Sequence, residues 1–284
     1  MLKNLNPGMI GIHATLAEAL DMAAQYGFGG VDVNLPDVAE LVRETSVGEV
    51  RALFARAGCR PGNWGLPIKW HDSEQDQAAE LARLRRYAAL AREIGAQRTT
   101  AVVMPWSDER TFDENYAFHV ERLKPVAEIL AEHDCRFGLE FIGPETLRQG
   151  KKHAFIYTMD GMLALCRDLG PNVGLLLDLW HWYTSHGTWD NLARLVNDDV
   201  VNVHVNDAPA GVPVDEQIDN ERCLPGETGV LDIARFLKAL DAMGYDGPVT
   251  AEPFSARVNA LAPQDALRET SEAMHRAWAS AGIA

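Results

Sequence analysis

Cysteine is scarce in this chain, and no two of its four cysteines stand close enough to form a CxxC pair. Cys59, Cys135, Cys166 and Cys223 are scattered, which excludes a zinc knot and a disulfide-stapled scaffold and fits reduced thiols. Positive charge is short as well: 26 Lys plus Arg stand against 41 Asp plus Glu, a formal net charge of −15. A nucleic-acid surface needs a basic stripe, so no nucleic-acid partner is expected. No apolar run approaches the length of a membrane span, so no membrane partner is expected either. The opening Met1-Leu2-Lys3-Asn4-Leu5-Asn6-Pro7 lacks the charged-then-apolar layout of a secretory leader, and a cytoplasmic location is the expectation. Also missing is a Gly-rich turn after the first apolar segment, the usual mark of a doubly wound nucleotide-binding sheet.

What is present is a repeat of apolar strand, loop and amphipathic helix at intervals of very roughly 25 to 40 residues, the spacing of βα units. The pattern predicts strands near Met9–Ile12, Val31–Val33, Cys59–Trp64, Thr100–Met104, Arg136–Glu140, Gly174–Asp178, Val200–Val205 and Pro248–Glu252. Capping-box patterns at Thr15-Leu16-Ala17-Glu18 and Ser46-Val47-Gly48-Glu49 open two helices, and further helices are expected over 76–94, near 114–132 and over 263–281. Eight strands alternating with helices, and no linker, predict an α/β fold: a single (β/α)8 TIM barrel filling residues 1–284 as one domain. Two long loops, 143–157 and 207–229, follow the fifth and seventh strands, and loops of that length in a compact domain are usually functional.

The sixth strand, Gly174-Leu175-Leu176-Leu177-Asp178, stops its apolar run at a carboxylate, with His181 three residues on. The same grammar recurs at Glu140, His204 and Glu252, which end the fifth, seventh and eighth strands. Taken singly, a strand-end Glu is most often a helix cap or salt-bridge partner, and a lone His on an apolar strand is a satisfied core residue. Four such residues on four consecutive strands converge on the face where barrels build their sites. Left bare, three carboxylates there would repel, and a divalent cation removes that repulsion. Three oxygens and one nitrogen, without thiolate, suit Mn, Mg or Co, with Zn admitted, and argue against a structural zinc.

These positions resemble the sugar phosphate isomerase/epimerase family, the xylose isomerase-like TIM barrels that include ketose 3-epimerases and inosose isomerases and dehydratases. The motifs are Gly138-Leu139-Glu140-Phe141, Leu177-Asp178-Leu179-Trp180-His181, Val203-His204-Val205-Asn206-Asp207 and Ala251-Glu252-Pro253. The resemblance implies that Glu140, Asp178, His204 and Glu252 hold one divalent metal and that His181 binds substrate. It implies a small carbohydrate or polyol substrate and chemistry through a metal-stabilised enediolate. Glu140 and Glu252, coming from different strands, could then remove and return a proton on opposite faces of that intermediate.

Weaker candidates are Arg222, which resembles the family's loop arginine that reaches substrate and one ligand, and His13, which either lines the pocket or caps the first helix. Asn34, Trp64 and Trp106 lie near strand ends where a sugar surface could sit, and Lys151, Lys152 and His153 read as solvated charge. Trp182 and Tyr183 are candidates for lining the site or for meeting a second copy in a homo-oligomer. The ketose 3-epimerases carry a further glutamate six residues after the first ligand, where this chain has Thr146, with Glu145 one place earlier. The acidic 207–229 loop, with Asp215, Glu216, Asp219 and Glu221, would serve a phosphate poorly, so an unphosphorylated substrate is expected. The competing readings are a lyase or dehydratase using the same enolate, and a non-catalytic sugar-binding module.

Overall fold

The computed structural model describes residues 1–71 and 74–283, with the side chains of residues 74–76 outside the description. Its main sheet is parallel throughout, with strands at Leu2–Leu5, Gly30–Val31, Arg60–Pro61, Trp64–Gly65, Arg98–Val103, Arg136–Phe141, Val173–Asp178, Val200–Val205 and Pro248–Ala251. The sheet begins and ends on the two halves of the third strand, 60–61 and 64–65, interrupted at Gly62 and Asn63. The eighth strand pairs back onto the first, so the sheet curls into a barrel of eight strand positions with helices between them.

Three of the four six-residue strands, Arg136–Phe141, Val173–Asp178 and Val200–Val205, are buried on both faces, as a sheet covered outside by helices and filled inside by side chains requires, while Arg98–Val103 leaves Val102 exposed. Alternation then fixes who points inward. Gly138 and Glu140, Leu176 and Asp178, Asn202 and His204, and Thr250 and Glu252 share the interior set, and pairing places His204 opposite both Asp178 and Thr250.

The first strand departs from expectation. It runs Leu2–Leu5, while Pro7–Ile10 is a single 3-10 turn. Proline at its start removes a ladder donor, and Gly11 ends it at φ 76°. The expected helices at 76–94, 114–132 and 263–281 are found at Glu74–Ile94, Phe112–Glu132 and Pro263–Ala281. Thr15 and Glu18 form the full capping box, whereas Ser46 accepts from Glu49 N without the return bond. All four cysteines are free, three of them buried. Among the described residues, no helix is long and apolar enough to cross a membrane.

Candidate metal centre

Glu140, Asp178, His204 and Glu252 meet at the C-terminal end of the barrel. One ligand-type atom from each lies within 4.8 Å of all the others. All four side chains are buried, Asp178 completely. His204 Nδ1 sits 3.3 Å from Glu252 Oε2, 3.7 Å from Glu140 Oε1 and 4.0 Å from Asp178 Oδ2, yet it makes no hydrogen bond of good geometry. Glu140 Oε1 is likewise buried without a partner. An unpaired imidazole nitrogen facing an unpaired carboxylate oxygen, with two more carboxylates beside them, is the arrangement a divalent cation satisfies. The residues present therefore fit such an ion.

Without a cation, the crowded charges sort themselves. Burial raises the Glu140 carboxyl well above its ordinary range, and the nearby Glu252 charge adds to the rise. Burial also opposes ionisation of Glu252, but His204 and Arg222 override it and bring Glu252 down to about 2. His204 feels burial downward, and its carboxylate neighbours, Glu252 first, lift it to about 10. The cation-free centre thus pairs an ionised Glu252 with an imidazolium and pushes Glu140 towards its protonated form.

Asp178 reaches the cluster from the end of an all-buried strand, and its two oxygens have separate partners. Oδ1 caps the short helix Leu179–Thr184, accepting from Trp180 N at 2.6 Å and His181 N at 3.0 Å. Oδ2 accepts from Arg222 Nη1 at 3.0 Å and Asn206 Nδ2 at 3.2 Å. Arg222 also donates to Glu252 Oε2 at 2.9 Å and to Asp219 Oδ1 at 2.7 Å. Its guanidinium lies between the rings of Trp180 and Phe254, at 4.5 and 4.8 Å. Burial works against that charge, but Asp178, Glu252 and Asp219 raise its pKa further.

His181 is buried behind this wall. Its Nδ1 faces Gly143 N at 3.2 Å and its Nε2 faces Arg222 Nη2 at 3.1 Å. Burial and the Arg222 charge lower it to about 3, so the ring is neutral at any ordinary pH. A Cβ on Gly143 would collide with the His181 carbonyl oxygen, so this approach requires glycine.

A cavity of about 1530 Å³ opens in front of the cluster. Glu140, His204 and Glu252 line it together with Asn6, Asp32, Asn63 and Thr100. Neither His181 nor Arg222 lines it. His13 does, exposed at the mouth, and the first helix is capped by Thr15 instead. Asn34 lines the cavity and caps the helix Leu35–Glu44. Trp64 is a packing residue, its Nε1 donating to Ala96 O at 2.8 Å. Trp106 carries Lys151 Nζ over its ring at 3.5 Å, so Lys151 is stacked as well as charged. Trp182 turns inward against Trp189 and Phe236. Glu145 pairs with Arg148, and Thr146 donates to Gln217 O at 2.8 Å, so neither supplies a further carboxylate to the cluster.

Sequence reasoning missed two supporting side chains although both lie in a quoted motif. Asn206 spans Asp178 and the Glu252 carbonyl. Asp207 accepts from the backbone N–H of Ala208, Thr228, Gly229 and Leu231 at 2.7–3.0 Å, and its own backbone is bridged to Cys223. A carboxylate directly after a strand, ahead of a long Gly-containing loop, was the available signal.

The barrel and its cluster of ligand-type side chains define a class, and the family comparison agrees. Residues 20–277 match the model of the xylose isomerase-like TIM barrel, and the chain belongs to that family. It is 31% identical to a xylose isomerase domain protein from Alicyclobacillus acidocaldarius, covering 99% of both chains at a TM-score of 0.88. It is 21% identical to the inosose isomerase of Bacillus velezensis, over 92% of each chain. Identity reaches 29% with the 3-dehydroshikimate dehydratase of Pseudomonas putida, over 87% of this chain but 37% of that longer protein. The IOLI protein, solved with a bound zinc atom, shares the fold at 17% identity, covering 98% of both chains at a TM-score of 0.79.

Two of these relatives are an inosose isomerase and a dehydratase, and the chain is accordingly an enzyme.

Proposed function

We propose that the protein is a divalent-metal-dependent isomerase or epimerase of an unphosphorylated sugar, inositol or keto-sugar. Glu140, Asp178, His204 and Glu252 would hold the metal, and Glu140 and Glu252 would also form the acid–base pair. The observation that carries this reading is the pair of buried, unpartnered atoms, Glu140 Oε1 and His204 Nδ1, 3.7 Å apart beside two more carboxylates. A divalent cation held there would supply Lewis-acid stabilisation of the negative charge that develops as a proton leaves the carbon next to a carbonyl.

Proton handling falls to the side chains. Glu252, kept ionised by His204 and Arg222, takes the proton alpha to the carbonyl. Glu140, which gives up its own proton on holding the ion, returns a proton taken up from water, to the opposite face of the same carbon for epimerisation or to the neighbouring carbon for aldose–ketose interconversion, and Glu252 passes its proton back to water. Asp178 has one oxygen committed to its helix and takes no part in the proton transfers. Arg222 and His181 brace Asp178 and Glu252 from behind, and their contact with substrate, implied by family resemblance, would follow only if the carboxylate bridge of Arg222 shifts. His13 meets substrate at the mouth.

The likeness to an inosose isomerase along nearly the whole of both chains supports a ring polyol ketone as substrate. The stronger identity to a dehydratase favours one alternative, the same deprotonation followed by loss of a beta hydroxyl. Incubating inososes, ketoses and 3-dehydroshikimate with metal-loaded enzyme in deuterated water separates the two. Deuterium retained in an isomer supports the proposal. An unsaturated product without isomer would replace it with the dehydratase reading.

A further inference from the structure

Asp32 has no part in the steps above, yet it lines the same cavity as Glu140, His204 and Glu252 and lies close enough to His204 to feel its charge. Its carboxylate is held in place by three donors. Oδ1 accepts from the Asn4 amide at 2.6 Å and the Asn63 backbone N–H at 2.8 Å, and Oδ2 accepts from the Asn6 amide at 3.0 Å. Burial raises the Asp32 pKa against the pull of these donors, and of the roughly four lone-pair positions a carboxylate offers, one on Oδ2 is left without a donor. Asp32 is half-buried and opens to the cavity. Beside it stands Asn63, itself 6% exposed, whose amide donates to Thr100 Oγ1 at 2.9 Å. Asn63 Oδ1 is buried without a partner, and Asn63 also lines the cavity.

Two residues with unfilled acceptor capacity therefore line the cavity that Glu140 and Glu252 also line. A hydroxyl group is the neutral donor that fits them. A phosphate or carboxylate would bring only acceptors, and charge of the same sign as Asp32. We propose that Asp32 and Asn63 form a hydroxyl-recognition subsite. It would select substrates that carry hydroxyls away from the reacting carbons, ring polyols over short keto acids. The inference rests on the polyol reading above and deepens it.

The test is titration calorimetry on the metal-loaded full chain with myo-inositol and its monodeoxy analogues as probes. Wild type should bind the parent at least about tenfold more tightly than one of the analogues, the scale of a hydrogen bond to a charged acceptor. In Asp32→Asn that ratio should collapse toward one. Asn63→Ala removes the orphaned amide oxygen but keeps the backbone N–H that Asp32 uses, and it should blunt the same discrimination if Asp32→Asn proves unstable. Variants that keep the wild-type ratio, or that lose affinity uniformly with a lowered melting temperature, would overturn the subsite and leave the polyol reading standing. A wild type that binds no inositol and no ketose would overturn the polyol reading and the subsite together.

Discussion

The two oxygens of Asp178 do different jobs, one capping the helix that follows and the other facing Arg222 and the cluster. Sequence reasoning treats helix cap and metal ligand as rival readings, and geometry allows both. Glu140 and Glu252 differ in a comparable way, since both are buried but Glu140 is pushed up, the Glu252 charge adding to the rise, while His204 and Arg222 bring Glu252 down. Glu140→Gln and Glu252→Gln should each lower kcat by about 10²–10⁴-fold, the range for a lost general acid or base, in steady-state assays on folded protein. Unchanged turnover in both would remove the acid–base assignment. A second prediction concerns protons. His204 holds a proton at neutral pH in the cation-free centre and burial pushes Glu140 towards holding one, so divalent metal binding near pH 7 should release about one proton or more. Calorimetry in buffers of different ionisation enthalpy measures that number, and a value near zero would contradict the arrangement. The convergence of the four strand-end residues was legible because each ends an apolar run. The contact of Arg222 with a ligand-type residue was legible only through the family resemblance, since no periodicity links a loop residue to a strand 44 positions earlier.

Loops, not strands, decide how well that cluster is held. The 207–229 loop hangs on Asp207, whose completely buried carboxylate satisfies four backbone N–H groups and fixes the chain near Arg222. Asp207→Ala leaves those donors unpaired. It should cost about 3 kcal/mol or more in urea-melt stability, and it should lower kcat/KM as Arg222 loses its seat. Gly143→Ala drives a methyl into the His181 carbonyl oxygen and should destabilise by about 1–3 kcal/mol, read by the same melts. The misplaced first strand has an element-scale cause. Leu2–Leu5 carries an inward Asn4 that donates to Asp32 and Thr250, which hides the strand's apolar signature, while the neighbouring Met9 and Ile10 mimic one. The third strand was harder still, broken at Gly62 where a Cβ would strike Asn4 and Asp32. Strands five to eight announced themselves because they are buried on both faces.

At the scale of the whole molecule, a barrel gathers residues more than a hundred positions apart around one buried charge cluster, and stability becomes tied to what occupies it. Glu140 is raised above 4.5 and His204 is raised from 6.5 to about 10, so above pH 6.5 the folded, metal-free chain holds protons the unfolded chain has lost. Its stability should then fall as pH rises toward 10. On the acid side, His181 stays neutral down to about 3 and Glu252 stays ionised down to about 2, so stability should also fall as pH drops below 6.5 and more steeply below 4.5. Melting temperature against pH for the metal-free protein should therefore peak between about 4.5 and 6.5. Adding the ion should flatten the alkaline arm, because His204 then serves as a neutral ligand. A metal-free profile that rises through pH 8 would contradict this. The most direct measurement is the divalent-metal stoichiometry of the purified wild type beside Glu140→Ala and His204→Ala, by elemental analysis after equilibration with Mn, Co, Mg and Zn. One ion per wild-type chain, lost or greatly weakened in both variants, is the predicted result. A wild type that binds no divalent ion under any of these conditions, or variants that bind it as tightly, would contradict the metal centre itself.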